Sequence, residues 1–498
     1  MTVRWHFVGL LGARGAKLTV GLAILFVYAR IFGVSATYDS WIWALGIVNA
    51  VGMMVFGPIV ETIRASYSNI EKRKGRAAAD QYIASVAVMM IGGAICVAIG
   101  TALLIPALVG ALLPKNSGHG STASFFLCAL APSLVLAQAV AVVTAHLNCR
   151  DKIYAPELAG IVGGGTGLGL IIAFPTLPAT WLLLGSYYLT LLIPLVAAAS
   201  FWPMLFQVIF KLNGRAFRSH AYEALSLSAP LLIPYALGQV LAVLELQYAL
   251  KGGTGALSIL SYALFARNTV QAIFSAALSA LAVPELARVW DAADPGSFRL
   301  IFGNWVRQCL TLATFAMILM FGFSDLVPLL LFSDNVTVNH QALLGELLRF
   351  YAIAITAVVL FLVAGSGLLA ARRAKTYAVF SALACVASIA LLLALFPKIG
   401  VVAIPVGLAV SHSLAAGLML RAINPTDFWR VIMEAGTRMI VIFALGSALH
   451  GLDFTIAESF GIAGRLAAGA LIPIMLVGVW WIVETRLGRK TALSVPTI

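Results

Sequence analysis

The sequence predicts an all-α fold, a polytopic membrane protein with about fourteen transmembrane helices, and three observations predict it. Of 498 residues, 61% are hydrophobic and only 10% charged, whereas roughly 25% would be charged in a soluble globular chain. The apolar stretches are continuous and of helical length: a bilayer core of roughly 30 Å takes about 20 apolar residues per helix, while barrel strands alternate and run only about ten. The chain also repeats itself. Glu61-Thr62-Ile63-Arg64 returns as Glu285-Leu286-Ala287-Arg288, Arg150-Asp151-Lys152-Ile153-Tyr154-Ala155 as Arg373-Ala374-Lys375-Thr376-Tyr377-Ala378, and Phe174-Pro175 as Phe396-Pro397, all displaced by about 223 residues, the internal self-similarity that marks a duplicated fold.

Taken in order, the spans of the first half fall at 17–32, 41–63, 82–113, 125–147, 158–174 and 180–210. Arg4, Arg14 and Lys17 flank the first, but its apolar run is long and lacks a small-residue cleavage site, so it reads as a retained helix and not a secretory signal. The fifth carries Gly160, Gly163, Gly164, Gly165, Gly167 and Gly169. A phosphate-binding loop would need a preceding strand, and close helix packing or a flexible gate suits these glycines better. The second half reads 226–250, 258–283, 301–332, 343–371, 377–396 and 401–420. Pro175, Pro234 and Pro397 are placed to kink or end helices. Two further spans, 431–449 and 462–483, lie outside the duplication. The predicted organisation is a six-helix lobe over 1–222, a second over 223–425, and two additional helices with a tail over 426–498.

Charge assigns the sides. One set of connectors holds Lys72, Arg73, Lys74 and Arg76, then Arg150 and Lys152, Lys211, Arg215 and Arg218, Arg288 and Arg299, Arg372, Arg373 and Lys375, Arg421 and Arg430, and the tail Arg486, Arg489 and Lys490; the other set holds only Lys115, Lys251 and Lys398. The positive-inside rule then puts both termini in the cytoplasm. The net charge of +13 is therefore spread over the inner loops, which argues against nucleic acid as a partner. Cys96, Cys128, Cys309 and Cys385 lie in apolar segments and Cys149 in a short basic loop, so neither a disulfide framework nor a metal site is expected. No cofactor is expected either. The outer loops are too short for an external catalytic domain.

Internal halves embedded in apolar helices are the usual build of secondary transporters, with the cavity between two bundles. Ionisable groups inside spans are costly and usually face a cavity or a partner. Arg30, one turn from the outer end of the first span, is a candidate for an anionic headgroup, or else snorkels to the interface; Asp39 brackets the same mouth, or else caps the next helix. Glu245 and Arg267 sit on consecutive spans, with Gln239 and Asn268 nearby in sequence. A lumenal guanidinium suits a diphosphate, and the alternative is an internal ion pair that fixes packing. Glu61 with Arg64, and Glu285 with Arg288, stand one turn apart at equivalent places, as a gate or as interfacial salt bridges. Glu346 with Arg349 and Glu434 with Arg438 have the same spacing. Asp325 reads as a helix-end residue, and His412 as either a proton-linked site or a packing histidine.

Ala29-Arg30-Ile31-Phe32-Gly33 followed by Asp39 resembles the opening of the lipid II flippase (MurJ, MviN) family of the multidrug/oligosaccharidyl-lipid/polysaccharide exporter superfamily. Leu147-Asn148 with Ala155-Pro156, Tyr262-Ala263, Ala277-Leu278 and Pro284 within 258–286, and Arg349-Phe350-Tyr351-Ala352 followed by Ala370-Ala371-Arg372 continue the likeness. The resemblance implies two lobes around a cationic central cavity, a groove from the last two helices for a polyprenyl tail, and alternating access. Of the family's cavity arginines only Arg30 carries over, with Ile24, Gly52 with Met53, and Phe265 at the other matched positions. That departure favours an undecaprenyl-diphosphate-linked saccharide other than lipid II, such as a surface-polysaccharide unit.

The expectation is thus a flippase for a lipid-linked glycan precursor, not an enzyme, with membrane lipids around it, a monomer, and a membrane potential or a cation or proton gradient to reset the cycle. Its rivals are a cation-coupled multidrug exporter, which would depend on Glu245 and not on Arg30 or Arg267, and a membrane glycosyltransferase or polymer ligase, for which clustered carboxylates and a nucleotide motif are missing.

Overall fold

The computed structural model describes residues 2–423, apart from 114–119, 151, 153, 199–205, 209, 211–212, 279–281, 293 and 333–335, together with scattered positions between 429 and 448. Side chains at 2–14, 64–65 and 276–277 also fall outside the description. The regular elements among the described residues are all helical. In chain order they are α1 (Thr2–Ile31), α2 (Ala36–Lys74), α3 (Arg76–Leu112), α4 (Gly120–Leu130), α5 (Ser133–Cys149), α6 (Tyr154–Ala173), α7 (Ala179–Ala197), α8 (Gly214–Lys251) and α9 (Ala256–Ala277). Then follow α10 (Val283–Asp291), α11 (Pro295–Gly322), α12 (Leu326–Leu331), α13 (Val338–Ala370), α14 (Ala374–Ile399), a 3-10 turn η1 (Gly400–Val402) and α15 (Ala403–Ile423).

Where they fall on described residues, the spans predicted before residue 425 lie largely on these helices; 199–205 and 209 of the sixth and 279–281 of the eighth lie outside the description. The fourth is a bent pair, α4 and α5, with 42° between them. The ninth ends in the short α12. The two predicted C-terminal spans, and with them Glu434 and Arg438, lie outside the described residues apart from scattered backbone positions. Among the described residues, eight helices are long and apolar enough to cross a membrane, or nine if the bent pair is one span. One of those eight, Ala374–Ile423, is 50 residues long and doubles back at Gly400, whose φ of 59° is a conformation that costs glycine least. Ser388 and Ser411 share a hydrogen bond of 2.5 Å across the turn, which two legs of a hairpin allow and a straight rod does not.

Local sequence explains where the long helices start and stop. Ser35 caps α2, its Oγ accepting from the Tyr38 N–H at 3.3 Å. Lys72, Arg73 and Lys74 fill the last turn, where the negative end of the helix dipole favours them. Asp294 caps α11 by accepting from the Ser297 N–H at 3.0 Å, with Pro295 as its first residue; these bonds hold the exposed carboxyl below its usual range.

The chain forms two compact units, Met1–Ser261 and Tyr262–Ile498. The first has a core of Phe56, Ile63, Tyr67, Tyr82, Ile83 and Val142. Its glycine-rich α6 lies backbone to backbone on α7: a Cβ on Gly167 would stand 2.9 Å from the Ser186 carbonyl oxygen, and one on Gly163 would stand 3.2 Å from the Thr190 Cα. Gly163 and Gly167 therefore serve helix packing, while a Cβ on Gly165 or Gly169 would meet nothing within 4 Å. The second unit is built around Phe298, Phe302, Leu310 and Met317 of α11 with Ile355 and Val359 of α13.

Candidate functional site

Within the first unit α8 runs antiparallel to α2, and the pairing has a constant register. Leu246 sits against Gly46, Tyr235 against Gly57, and Ser228 Oγ lies 3.0 Å from Thr62 Oγ1. Small residues on α2 let the larger side chains of α8 approach closely, as in packed membrane helices.

Asp39 closes one end of this seam. It is fully buried and does not cap its own helix, a task that Ser35 performs. Its Oδ2 accepts from the Gly255 N–H at 2.6 Å, and its Oδ1 accepts from the Ser258 N–H at 2.8 Å and the Ser258 hydroxyl at 2.5 Å. Those amides are the first, otherwise orphaned donors of α9, so a carboxylate from α2 caps a helix more than 200 residues later. Glu61 lies at the other end of the seam, exposed, and accepts from the Tyr235 hydroxyl at 3.0 Å. The side chain of Arg64 lies outside the described residues.

Arg30 is exposed on α1, its guanidinium 4.5 Å from the centre of the Phe26 ring. A pocket of about 110 Å³ lies between α1, α2, α6 and α7, with Ile24, Tyr28, Trp41 and Ser186 in its wall; Tyr28 and Ser186 share a hydrogen bond of 2.7 Å. Glu245 and Gln239 are half-buried on α8. At the far end of α5, Arg150 makes two hydrogen bonds to Asp80, of 3.0 and 2.9 Å, and Tyr67 donates to the same carboxylate at 3.2 Å. Burial opposes the Arg150 charge, but Asp80 more than offsets it and raises the guanidinium above its ordinary pKa.

In the second unit Arg267, half-buried on α9, donates from Nη2 to Gln271 Oε1 at 3.1 Å, and its Nε is buried without an acceptor. Asn268 beside it is exposed. The repeat partner of Glu61, Glu285, does not close on Arg288, which is exposed; it accepts from the Trp305 indole at 2.9 Å. Both repeated acids thus take a hydrogen bond from an aromatic side chain of another helix. Glu346 is likewise exposed, and Arg349 reaches Asp325 at 3.6 Å and the Gly345 carbonyl at 3.3 Å. His412 Nδ1 faces the Leu408 carbonyl at 3.1 Å, with the Phe361 ring 4.9 Å away. No cluster of His, Cys, Asp and Glu fit to hold a metal occurs among the described residues.

Sequence reasoning missed Tyr235, Ser258, Asp80, Tyr67 and Gln271. Only Gln271 carried a local signal, four residues beyond Arg267 on the same helix face.

A family profile described as lipid II flippase MurJ matches residues 28–464. Among solved structures, the lipid II flippase MurJ in an inward closed conformation superposes with a TM-score of 0.74 at 16% identity, covering 96% of this chain and 100% of that one. An inward-facing multidrug resistance MATE family transporter of the MOP superfamily gives 0.63 at 13% identity, covering 84% of this chain and 95% of that one. A Vibrio cholerae MATE transporter gives 0.57 at 16% identity, covering 84% and 98%. No curated protein sequence matches the chain.

Proposed function

The chain belongs to the lipid II flippase MurJ family, and on that premise we propose that it carries an undecaprenyl-diphosphate-linked glycan precursor, lipid II-like or a polysaccharide repeat unit, across the bacterial inner membrane by alternating access. A flippase need not make or break a covalent bond. It offers the diphosphate-sugar head a polar path while the hydrocarbon tail stays in lipid, avoiding the cost of dragging polar groups through hydrocarbon.

The observation that carries the reading is the buried Asp39 clasp on Gly255 and Ser258. The α2–α8 seam sets larger side chains of α8 against small residues of α2 and adds a few polar bonds, and such a seam can part and reclose. We assign Asp39 to closure of one end, on the outer side of a chain with both termini in the cytoplasm. Glu61 with Arg64, and Glu285 with Arg288, are assigned to the opposite, inner end. Arg30 and Glu245 of the first unit and Arg267 and Asn268 of the second are assigned to the substrate head, with 1–222 and 223–425 as the related halves.

The test is flipping of defined lipid-linked sugars in proteoliposomes, wild type beside Arg30→Ala and Arg267→Ala, with efflux of a cationic dye measured in parallel. Flipping that falls at least about tenfold in both variants supports the assignment, the loss of one charge-assisted contact being worth that much. Dye export that persists in a protein unable to flip any lipid-linked sugar overturns it in favour of a multidrug exporter.

A further inference from the structure

The pocket of about 110 Å³ in the first unit is lined from α6 by Gly164 and Gly167, which leave open a gap that a larger residue would fill. Ile24, Leu45 and the Trp41 ring make its wall largely apolar, and among the described residues no carboxylate, guanidinium, ammonium or imidazole lines it. The wall is pre-formed, because the rings of Phe126 and Tyr187 hold Trp41 edge-on at 5.2 and 5.9 Å. An apolar cavity of about 150 Å³ takes a benzene ring, so a partly open pocket of this size admits one such ring with part of it at the mouth. An ion would lose its water here without a counter-charge. The pocket therefore selects uncharged molecules.

The hydroxyl groups of the wall decide which uncharged molecules. Ser186 Oγ donates its one hydrogen to the Leu183 carbonyl at 3.0 Å, so in the 2.7 Å bond with Tyr28 it accepts and the phenol of Tyr28 donates. Thr190 Oγ1 likewise donates to the Tyr187 carbonyl at 2.6 Å. All three hydroxyl hydrogens are committed, and what Tyr28 Oη and Thr190 Oγ1 have left is lone pairs. A ligand hydroxyl that donates to Tyr28 Oη extends a chain running in one direction, from ligand to Tyr28 to Ser186 to the Leu183 carbonyl, and such chains strengthen their members. A ligand able only to accept finds no hydrogen there. A lone water would use the same acceptors and leave the apolar wall unfilled.

We propose that this pocket binds a small uncharged phenol dissolved in the bilayer, its ring against Trp41, Ile24 and Leu45 and its hydroxyl donating to Tyr28. Residues of α1, α2, α6 and α7 all line the space, so the ligand touches several helices at once and ties α1 to the bundle. The site does not depend on what the chain transports.

Fluorine NMR of 4-fluorophenol and of its isostere 4-fluorotoluene, which has a methyl group in place of the hydroxyl, measures binding to the purified full chain in nanodiscs, each referred to its partition into empty nanodiscs. Wild type is expected to bind 4-fluorophenol about two- to tenfold tighter than 4-fluorotoluene, the range that one net hydrogen bond supplies. Tyr28→Phe together with Ser186→Ala removes the chain and keeps the wall, so the preference should vanish while 4-fluorotoluene binds as before. Thr190→Val removes the other acceptor and should leave the preference intact. Ile24→Phe fills the space and should abolish saturable binding of both molecules; if that variant does not fold, the paired hydroxyl variant decides alone. Equal affinities in wild type, a preference that survives Tyr28→Phe with Ser186→Ala, a preference lost in Thr190→Val, or saturable binding undiminished in a folded Ile24→Phe overturns the site.

Discussion

Tyr235 of α8 lays its ring over Gly57 of α2 so closely that a Cβ on that glycine would stand 2.6 Å from the ring. The same residue donates its hydroxyl to Glu61, one turn further along α2. One aromatic side chain therefore fills the hole in the seam and bonds its rim, which couples packing to polarity at a single point.

Gly57→Ala is expected to splay α2 from α8 at a cost of about 1–3 kcal/mol, the usual penalty for overfilling a packed contact. Thermal melting of the purified chain reads this as a lower midpoint. Tyr235→Ala in the same chain should restore most of the loss, because the two positions share one space and their effects do not add. Tyr235→Phe keeps the knob and removes only the bond to an exposed carboxylate, so its effect should stay below about 1 kcal/mol. An unchanged midpoint in Gly57→Ala would mean that the seam is looser than the contact implies.

Asp39→Asn retains the size of the side chain and one acceptor oxygen but loses the charge that three donors share. Hydrogen bonds to a charged group are worth about 1.5–3 kcal/mol, so the amides of Gly255 and Ser258 should exchange with solvent deuterium about tenfold to a hundredfold faster. Ser258→Ala removes one of the three donors and should give a smaller acceleration. Protection equal to wild type in Asp39→Asn would show that the carboxylate is incidental to closure.

Much of the fold was legible because a bilayer imposes one length and one composition on every span. The described residues up to 423 largely follow the predicted segments, even where a span is bent, as at α4–α5. Partnerships were far less legible. The one-turn spacing of Glu285 and Arg288, or of Glu346 and Arg349, described which groups can meet on a free helix; in the packed units Trp305 and Asp325 are better placed and take those bonds. Asp39 was recognisable as an acid at a helix start, but the helix it caps begins at residue 256, and no periodicity links positions that far apart. Asp80 and Arg150 are 70 residues apart and drew no attention as a pair for the same reason. Tertiary packing chose the partner in each case, and sequence spacing supplied only the candidates.

The Asp80–Arg150 pair tests how firmly the ends of α3 and α5 are joined. Both side chains are about one-fifth exposed, 16% and 23%, so the value of a fully buried pair is discounted toward that of a surface one, to about 1–2 kcal/mol. Asp80→Asn should cost that amount and leave Tyr67 with a weaker acceptor. Arg150→Lys cannot make both bonds to one carboxylate and should lose a similar share. Stability in denaturing detergent of the two single variants and the double variant gives the coupling; strict additivity would mean that the pair contributes nothing of its own.

The turn at Gly400 makes the most direct prediction about topology. If α14 and α15 formed one continuous helix, the Cα atoms of residues 388 and 411 would be about 34 Å apart at 1.5 Å per residue. With the two serine hydroxyls in contact, Ser388→Cys together with Ser411→Cys should instead oxidise to a disulfide, whose Cα atoms must lie within about 7 Å. The assay belongs in a Cys385→Ala background, because that native thiol is on the same helix and half-buried. A cross-link that forms within one chain and resists dilution confirms two antiparallel legs. Gly400→Val then supplies the energetic counterpart: at φ 59° and ψ −140° a β-branched residue is strained by about 1–3 kcal/mol, so the variant should melt earlier and yet still cross-link. Absence of the disulfide under conditions that oxidise an exposed control pair would mean that this segment crosses the membrane once, and the sequence reading of two spans there would fail with it.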